Sequence, residues 1–247
     1  MLHAVVAHYS PATRVVDLTH LVPRHDIRSG ALTLWRSAPW LVPGVILAVV
    51  DPGVGTERRA VAIEVAAAGA VLVGPDNGLL LPAAVRLGGP SAAVELPPNP
   101  LAPGATFAGR DVFAPAAARA ANGEPLGALG RPIDPATLAG QPVAGPQAEA
   151  EGRLRTEVLW VDRFGNAQLN VTPDDVARLI GTVAEARTAE GAHPVRVVRS
   201  YGDIGDDEVA LVVDSYGLLA LSCNCRSAAG TVGVVPGDLV WLCRDRG

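Results

Sequence analysis

Val45-Ile46-Leu47-Ala48-Val49-Val50-Asp51-Pro52-Gly53-Val54-Gly55-Thr56 runs from an unbroken apolar stretch into an acid and a glycine-bearing turn. An apolar run of this length, bounded by turn residues, reads as a strand buried on both faces. Asp51 then sits where that strand ends. In open α/β sheets, ligands bind outside the carboxyl ends of the strands. The two glycines let the following turn approach a ligand closely. Arg58 and Arg59 come next and offer the carboxylate a fixed cation, although strand alternation lets only one of them face it. The same residues also suit a plain turn, with Asp51 before Pro52 and the arginines solvated.

Around this stretch, strand-like and helix-like segments alternate. Residues 14–18 are β-rich. Asp26 reads as the N-cap of a helix over 27–35. Segments 60–65 and 70–73 read as strands, 79–87 as a helix closed by Gly88-Gly89, and 92–96 as a short strand. Residues 110–122 read as a helix, although Pro115 must then sit in its first turn. This alternation predicts an α/β N-terminal domain over 1–137, with a mostly parallel sheet and helices on both faces. Residues 138–152, rich in Pro, Ala and Gly, read as a linker. From 153 to 247 the pattern becomes short strands: 154–161, 167–171, 195–200, 208–213, 218–221 and 239–243. One helix interrupts them, with Thr172 as its N-cap, Pro173 in its first turn and Gly181 after its end. A mostly antiparallel, β-barrel-like C-terminal domain follows. Residues 1–8 have helical spacing, so no strand precedes the first helix.

The chain has 247 residues, 49% hydrophobic and 18% charged, and a formal net charge of −5. All 20 basic residues are arginine, dispersed without a basic run or aromatic ladder, so nucleic acid is not an expected partner. No stretch has the length of a membrane span, and the start lacks a signal-peptide pattern. Cys223, Cys225 and Cys243 are odd in number and read as free thiols of a reducing cytoplasm. The five histidines have no ligand spacing with them, so neither a metal nor another cofactor is expected. There is no P-loop ending, dinucleotide fingerprint or Gly-x-Ser-x-Gly elbow.

Three further segments share the chemistry of the first. Gly74-Pro75-Asp76-Asn77-Gly78 follows a strand and should lie on the same rim as Asp51; it also suits a type I turn. Thr106-Phe107-Ala108-Gly109-Arg110-Asp111 opens a helix whose amides suit a ligand, or Asp111 simply caps it. Asp162-Arg163-Phe164-Gly165-Asn166 offers an aromatic face beside amide groups, which suits a purine, or it is a hairpin turn with Phe164 packed inside.

Together with Val15-Val16-Asp17-Leu18-Thr19-His20 and Asp214-Ser215-Tyr216-Gly217, these segments resemble, in order, the S-adenosylmethionine hydroxide adenosyltransferases, relatives of the fluorinases and chlorinases. The resemblance implies hydrolysis of S-adenosyl-L-methionine to adenosine and L-methionine, with a homotrimer carrying sites between subunits. It makes Asp51 and Arg58 members of an Asp-Arg-His set that activates water. Asp162, Phe164 and Asn166 take the adenine side, and Ser215 and Tyr216 the methionine carboxylate end. Two departures stand out. The family histidine position is Ala108, and losing a general acid/base group costs roughly 10²- to 10⁴-fold. The family also begins with a strand whose Asp holds the ribose hydroxyls, and this sequence starts at the helix after it. Those departures leave a second reading, a catalytically impaired protein that binds S-adenosylmethionine or adenosine. A third and weaker reading is a halide-dependent adenosyltransferase, since Asp51 would repel an anion.

Overall fold

The computed structural model describes residues 1–244. The chain forms two compact units, Met1–Pro142 and Val143–Gly247.

In chain order the first unit contains α1 (Leu2–Tyr9), α2 (Ile27–Ser37), β1 (Gly44–Leu47), β2 (Ala60–Val65), β3 (Ala70–Pro75) and α3 (Leu81–Arg86). β4 (Ala92–Glu95), α4 (Ala114–Ala121), α5 (Leu126–Leu129) and β5 (Arg131–Ile133) complete it. The strand order is β1-β3-β2-β4-β5. Period-2 alternation in β2 divides the core between the two faces of this sheet. Val61, Ile63 and Val65 pack with Leu34 of α2 and Ala83 and Ala84 of α3. Ala62 points the other way, with Phe113, Ala116 and Ala117 beside it. Helices therefore cover both faces, as expected.

The expectation of a mostly parallel sheet is not met. In this sheet only β1 and β3 pair in parallel among the described residues; β2 is antiparallel to both β3 and β4, and β4 to β5. The reason is loop length. A single short turn, Ala66–Ala68 with Gly69, joins β2 to β3, and a parallel crossover needs a dozen or more residues. β1 also differs from its reading. It stops at Leu47 and pairs only with β3 among the described residues, with one of its four residues buried. Residues 44–50 line a cavity of about 570 Å³ together with Leu2, Val6 and residues 13–20. Residues 14–18, expected to be β-rich, form no strand.

The second unit is mostly antiparallel. It contains β6 (Gln147–Glu149), β7 (Arg153–Val161), β8 (Ala167–Leu169), α6 (Pro173–Leu179), β9 (Val183–Thr188), β10 (Gly191–Pro194) and β11 (Val197–Val198). β12 (Ala210–Val213), β13 (Leu219–Ser222), α7 (Ala228–Val232) and β14 (Leu239–Arg244) follow. The order is β10-β9-β14-β7-β8-β13-β12-β11, with β6 added on β7. In this sheet only β11 and β12 pair in parallel among the described residues. β7 gives its first half to β14 and its last residues to β8, with a register shift between Val158 and Trp160. Such an irregularity bends a strand. The sheet curls around Leu154, Leu169, Leu211, Leu221 and Leu242 but stays open, because no pairing joins β10 to β11 among the described residues. β6 lies inside the stretch read as linker, and β9 and β10 were not read as strands.

Candidate active site

Asp51 leaves the β1 segment into a turn closed by Val54 N donating to the Asp51 carbonyl (3.3 Å) and Thr56 N to that of Gly53 (3.2 Å). Gly55 has φ +79°, and a Cβ there would lie 3.5 Å from the Ala105 carbonyl oxygen. The turn thus lies against the loop that leads to Ala108. The chain then returns and delivers Arg58 to Asp51. Arg58 Nε donates to Asp51 Oδ1 (2.9 Å) and Nη2 to Oδ2 (2.6 Å). Both side chains are withdrawn from bulk water, 11% and 6% exposed. Bidentate geometry is what offsets the cost of burying such a pair. Phe113 supports the guanidinium from below, with Arg58 Cζ 5.3 Å from the ring centroid.

The alternative left open by the sequence is thereby closed: Arg58, not Arg59, meets Asp51. Arg59 turns to Asp76, donating from Nε (2.8 Å) and Nη2 (2.5 Å) to Oδ2. It also donates to Thr137 Oγ1 (3.1 Å) and the Thr137 carbonyl (2.5 Å). Asp76 Oδ1 accepts from Ala139 N at 2.7 Å. Beside this latch, Asn77 Nδ2 donates to the Val50 carbonyl at 2.9 Å. The Gly74–Gly78 motif therefore fixes the backbone immediately before Asp51, a positioning role that no local pattern signalled.

Asp51 and Pro52 also wall a cavity of about 390 Å³, together with Thr19, His20, His25 and Val50. Each carboxylate oxygen accepts more than one hydrogen bond, so the Arg58 contacts leave Asp51 able to take a proton donor from this space. Ala108, half-buried, is the residue before a π-helical turn over Gly109–Phe113. The reading in which Asp111 caps the helix is replaced: Asp111 pairs with Arg110, at 2.6 and 2.8 Å. That pair holds the Asp111 carboxyl below the usual carboxylate range, with the Arg110 hydrogen bonds as the main cause.

In the second unit, Asp162 staples its own hairpin. Its Oδ1 accepts from Phe164 N (2.8 Å) and Asn166 N (2.9 Å), and Oδ2 from Asn166 Nδ2 (2.8 Å). Gly165 has φ +85°, and a Cβ there would collide with Ser227. The hairpin reading with Phe164 packed inside is not met: Phe164 is 66% exposed, with the Arg163 guanidinium 4.8 Å from its ring centroid. Ser215 and Tyr216 are exposed on a turn that Asp214 organises by accepting from Tyr216 N (2.8 Å) and Leu218 N (3.0 Å). Tyr201, missed in the sequence, stands near both turns. Burial pushes its phenol pKa up, and the Asp162 and Asp214 carboxylates add to the shift. It follows a strand edge with no motif around it, so no local pattern marks it.

Residues 1–130 match the SAM hydroxide adenosyltransferase N-terminal domain, and residues 156–241 match the C-terminal domain of the same family. The chain belongs to the SAM hydroxide adenosyltransferase family. A relative from Salinispora tropica, an (R)-S-adenosyl-L-methionine hydrolase, is 47% identical over 239 residues, covering 96% of this chain and 88% of its own. A fluorinase from Nocardia brasiliensis is more distant, 28% identical over 250 residues, covering 89% of this chain and 83% of its own. Among solved structures, an uncharacterized conserved protein from Thermotoga maritima superposes with a TM-score of 0.87 at 30% identity, covering 98% of this chain and 94% of its own.

Proposed function

We propose that this member of the SAM hydroxide adenosyltransferase family hydrolyses S-adenosyl-L-methionine to adenosine and L-methionine. The observation that carries the reading is the withdrawn, bidentate Asp51–Arg58 pair, whose Asp51 lines a cavity. Arg58 fixes the orientation of the carboxylate, and Asp51 accepts a hydrogen bond from a water aligned with C5′ of the ribose. The water oxygen bonds to C5′ as the C5′–S bond breaks. Its electron pair goes to sulfur, which leaves as a neutral thioether and needs no proton. The water's proton passes to Asp51 and then to solvent. No cofactor enters the reaction.

On this reading, Phe164 stacks on the adenine while Asp162 and Asn166 hold the hairpin that presents it. Ser215 and Tyr216 receive the methionine carboxylate end. A homotrimer with sites between subunits is part of the same proposal, as is a cytoplasmic setting, which suits the three free thiols. No helix among the described residues is long and apolar enough to cross a membrane.

Ala108 favours one competing reading, a protein that binds the substrate without turning it over. Chromatography of S-adenosylmethionine incubated with the purified protein separates the two. Equimolar adenosine and methionine, above a boiled control, support hydrolysis. Saturable binding with no product supports the binding-only reading and overturns the proposal. A halide-dependent transferase would show chloride-dependent products.

A further inference from the structure

Sequence spacing gave no reason to group His3 with Asp17 and His20, but the fold brings all three together. His3 stands on the first turn of α1. Asp17 and His20 come from the irregular segment that runs back past it. His3 Nε2 lies 2.7 Å from Asp17 Oδ1, and His20 Nε2 lies 3.1 Å from the same oxygen. One ligand atom from each residue lies within 4.8 Å of the others. We propose that His3, Asp17 and His20 bind a divalent transition-metal ion of the zinc class.

Three observations carry this. First, the distances fit. Two ligands on a tetrahedral zinc ion, each about 2.1 Å from the metal, are about 3.4 Å apart. The three side chains are exposed, His20 most of all at 74%, so they are free to adjust toward that spacing. Second, the donor set is selective. Two imidazoles with one carboxylate suit zinc, cobalt and nickel, whereas magnesium and calcium want oxygen donors. Third, there is room for further ligands. All three residues line the cavity of about 570 Å³ beside β1, so an open coordination position would face a space able to hold water or a small ligand. The site is separate from the Asp51–Arg58 pair, although His20 also lines the smaller cavity that Asp51 walls.

The competing account is that both imidazoles simply hydrogen-bond Asp17. Titrating tag-free protein with cobalt(II) chloride, followed by visible absorption, distinguishes the two. The proposal predicts one ion per chain and d–d bands of a low-coordinate site, displaced by zinc chloride. His3→Ala and His20→Ala should each weaken cobalt binding roughly tenfold or more. His8→Ala, on α1 but outside the cluster, should leave it unchanged. X-ray absorption of the zinc-loaded, unaltered protein should show two imidazoles, a readout that does not depend on any variant folding. Absence of saturable cobalt binding below millimolar concentration would overturn the proposal. So would binding that survives loss of both histidines, or a zinc shell without imidazole.

Discussion

Arg58 and Arg59 are adjacent in sequence, yet each grips a different carboxylate, and the two contacts should fail differently. Arg58→Lys keeps the charge and removes the two-point grip that aims Asp51. Adenosine release should fall about 10- to 100-fold, by analogy with the loss of a supporting contact, and thermal stability should fall too, because the two-point grip offsets the burial of both charges. Arg59→Ala instead breaks the latch to Asp76, whose carboxylate is 5% exposed. It should cost about 2 kcal/mol of stability, read by urea unfolding, after discounting for the partial exposure of Arg59. If Ala108 holds the place of the histidine that the resemblance implies, Ala108→His should raise turnover up to roughly 10²-fold. Sequence alone offered Asp51 an arginine partner, beside the alternative of a plain turn, and did not say which arginine it would be. Both lie next to a turn, and only the paths of β2 and the Asp76 loop assign them. Asn77 and Tyr201 were illegible in function for a related reason: their partners, the Val50 carbonyl and the two turn aspartates, are distant in sequence.

Two helix starts, at Asp26 and Thr172, were read well because their capping signals are local, whereas the Asp111 cap was not met. Asp26 accepts from Ser29 N at 2.8 Å and from Ser29 Oγ at 2.6 Å, and Thr172 closes a capping box with Asp175. The Ser29 side-chain bond, followed by its backbone bond, lowers the Asp26 carboxyl pKa below its ordinary value. A depressed folded pKa contributes stability above the unfolded value, near 3.9, and loses it as pH falls through the folded one. Asp26→Ala should therefore cost about 1 kcal/mol at neutral pH. The gap from the parent should close in acid, as chemical denaturation at several pH values would show. Strand partners were read poorly, because pairing depends on what lies alongside. The run at 45–50, read as one strand buried on both faces, forms a strand only as far as Leu47, pairs with β3 alone among the described residues and lines a cavity. β9 and β10 escaped notice because charged and small residues interrupt their alternation, leaving only short apolar fragments.

Across the whole molecule, both units carry motifs in the order the family resemblance requires, and that order made the family legible where any single motif was weak. Phe113 ties the first unit's core to its chemistry, since it is fully buried and also supports Arg58. Phe113→Ala should cost about 3–5 kcal/mol and reduce activity as well. Light scattering should return three times the 25.3 kDa chain mass if the proposed trimer forms. The most direct test of the account compares adenosine release from S-adenosylmethionine by the unaltered protein and by Asp51→Asn. The account predicts adenosine and methionine in equal amounts from the first and at least a roughly 100-fold lower rate from the second. Equal rates from both, or no adenosine from folded unaltered protein, would contradict it.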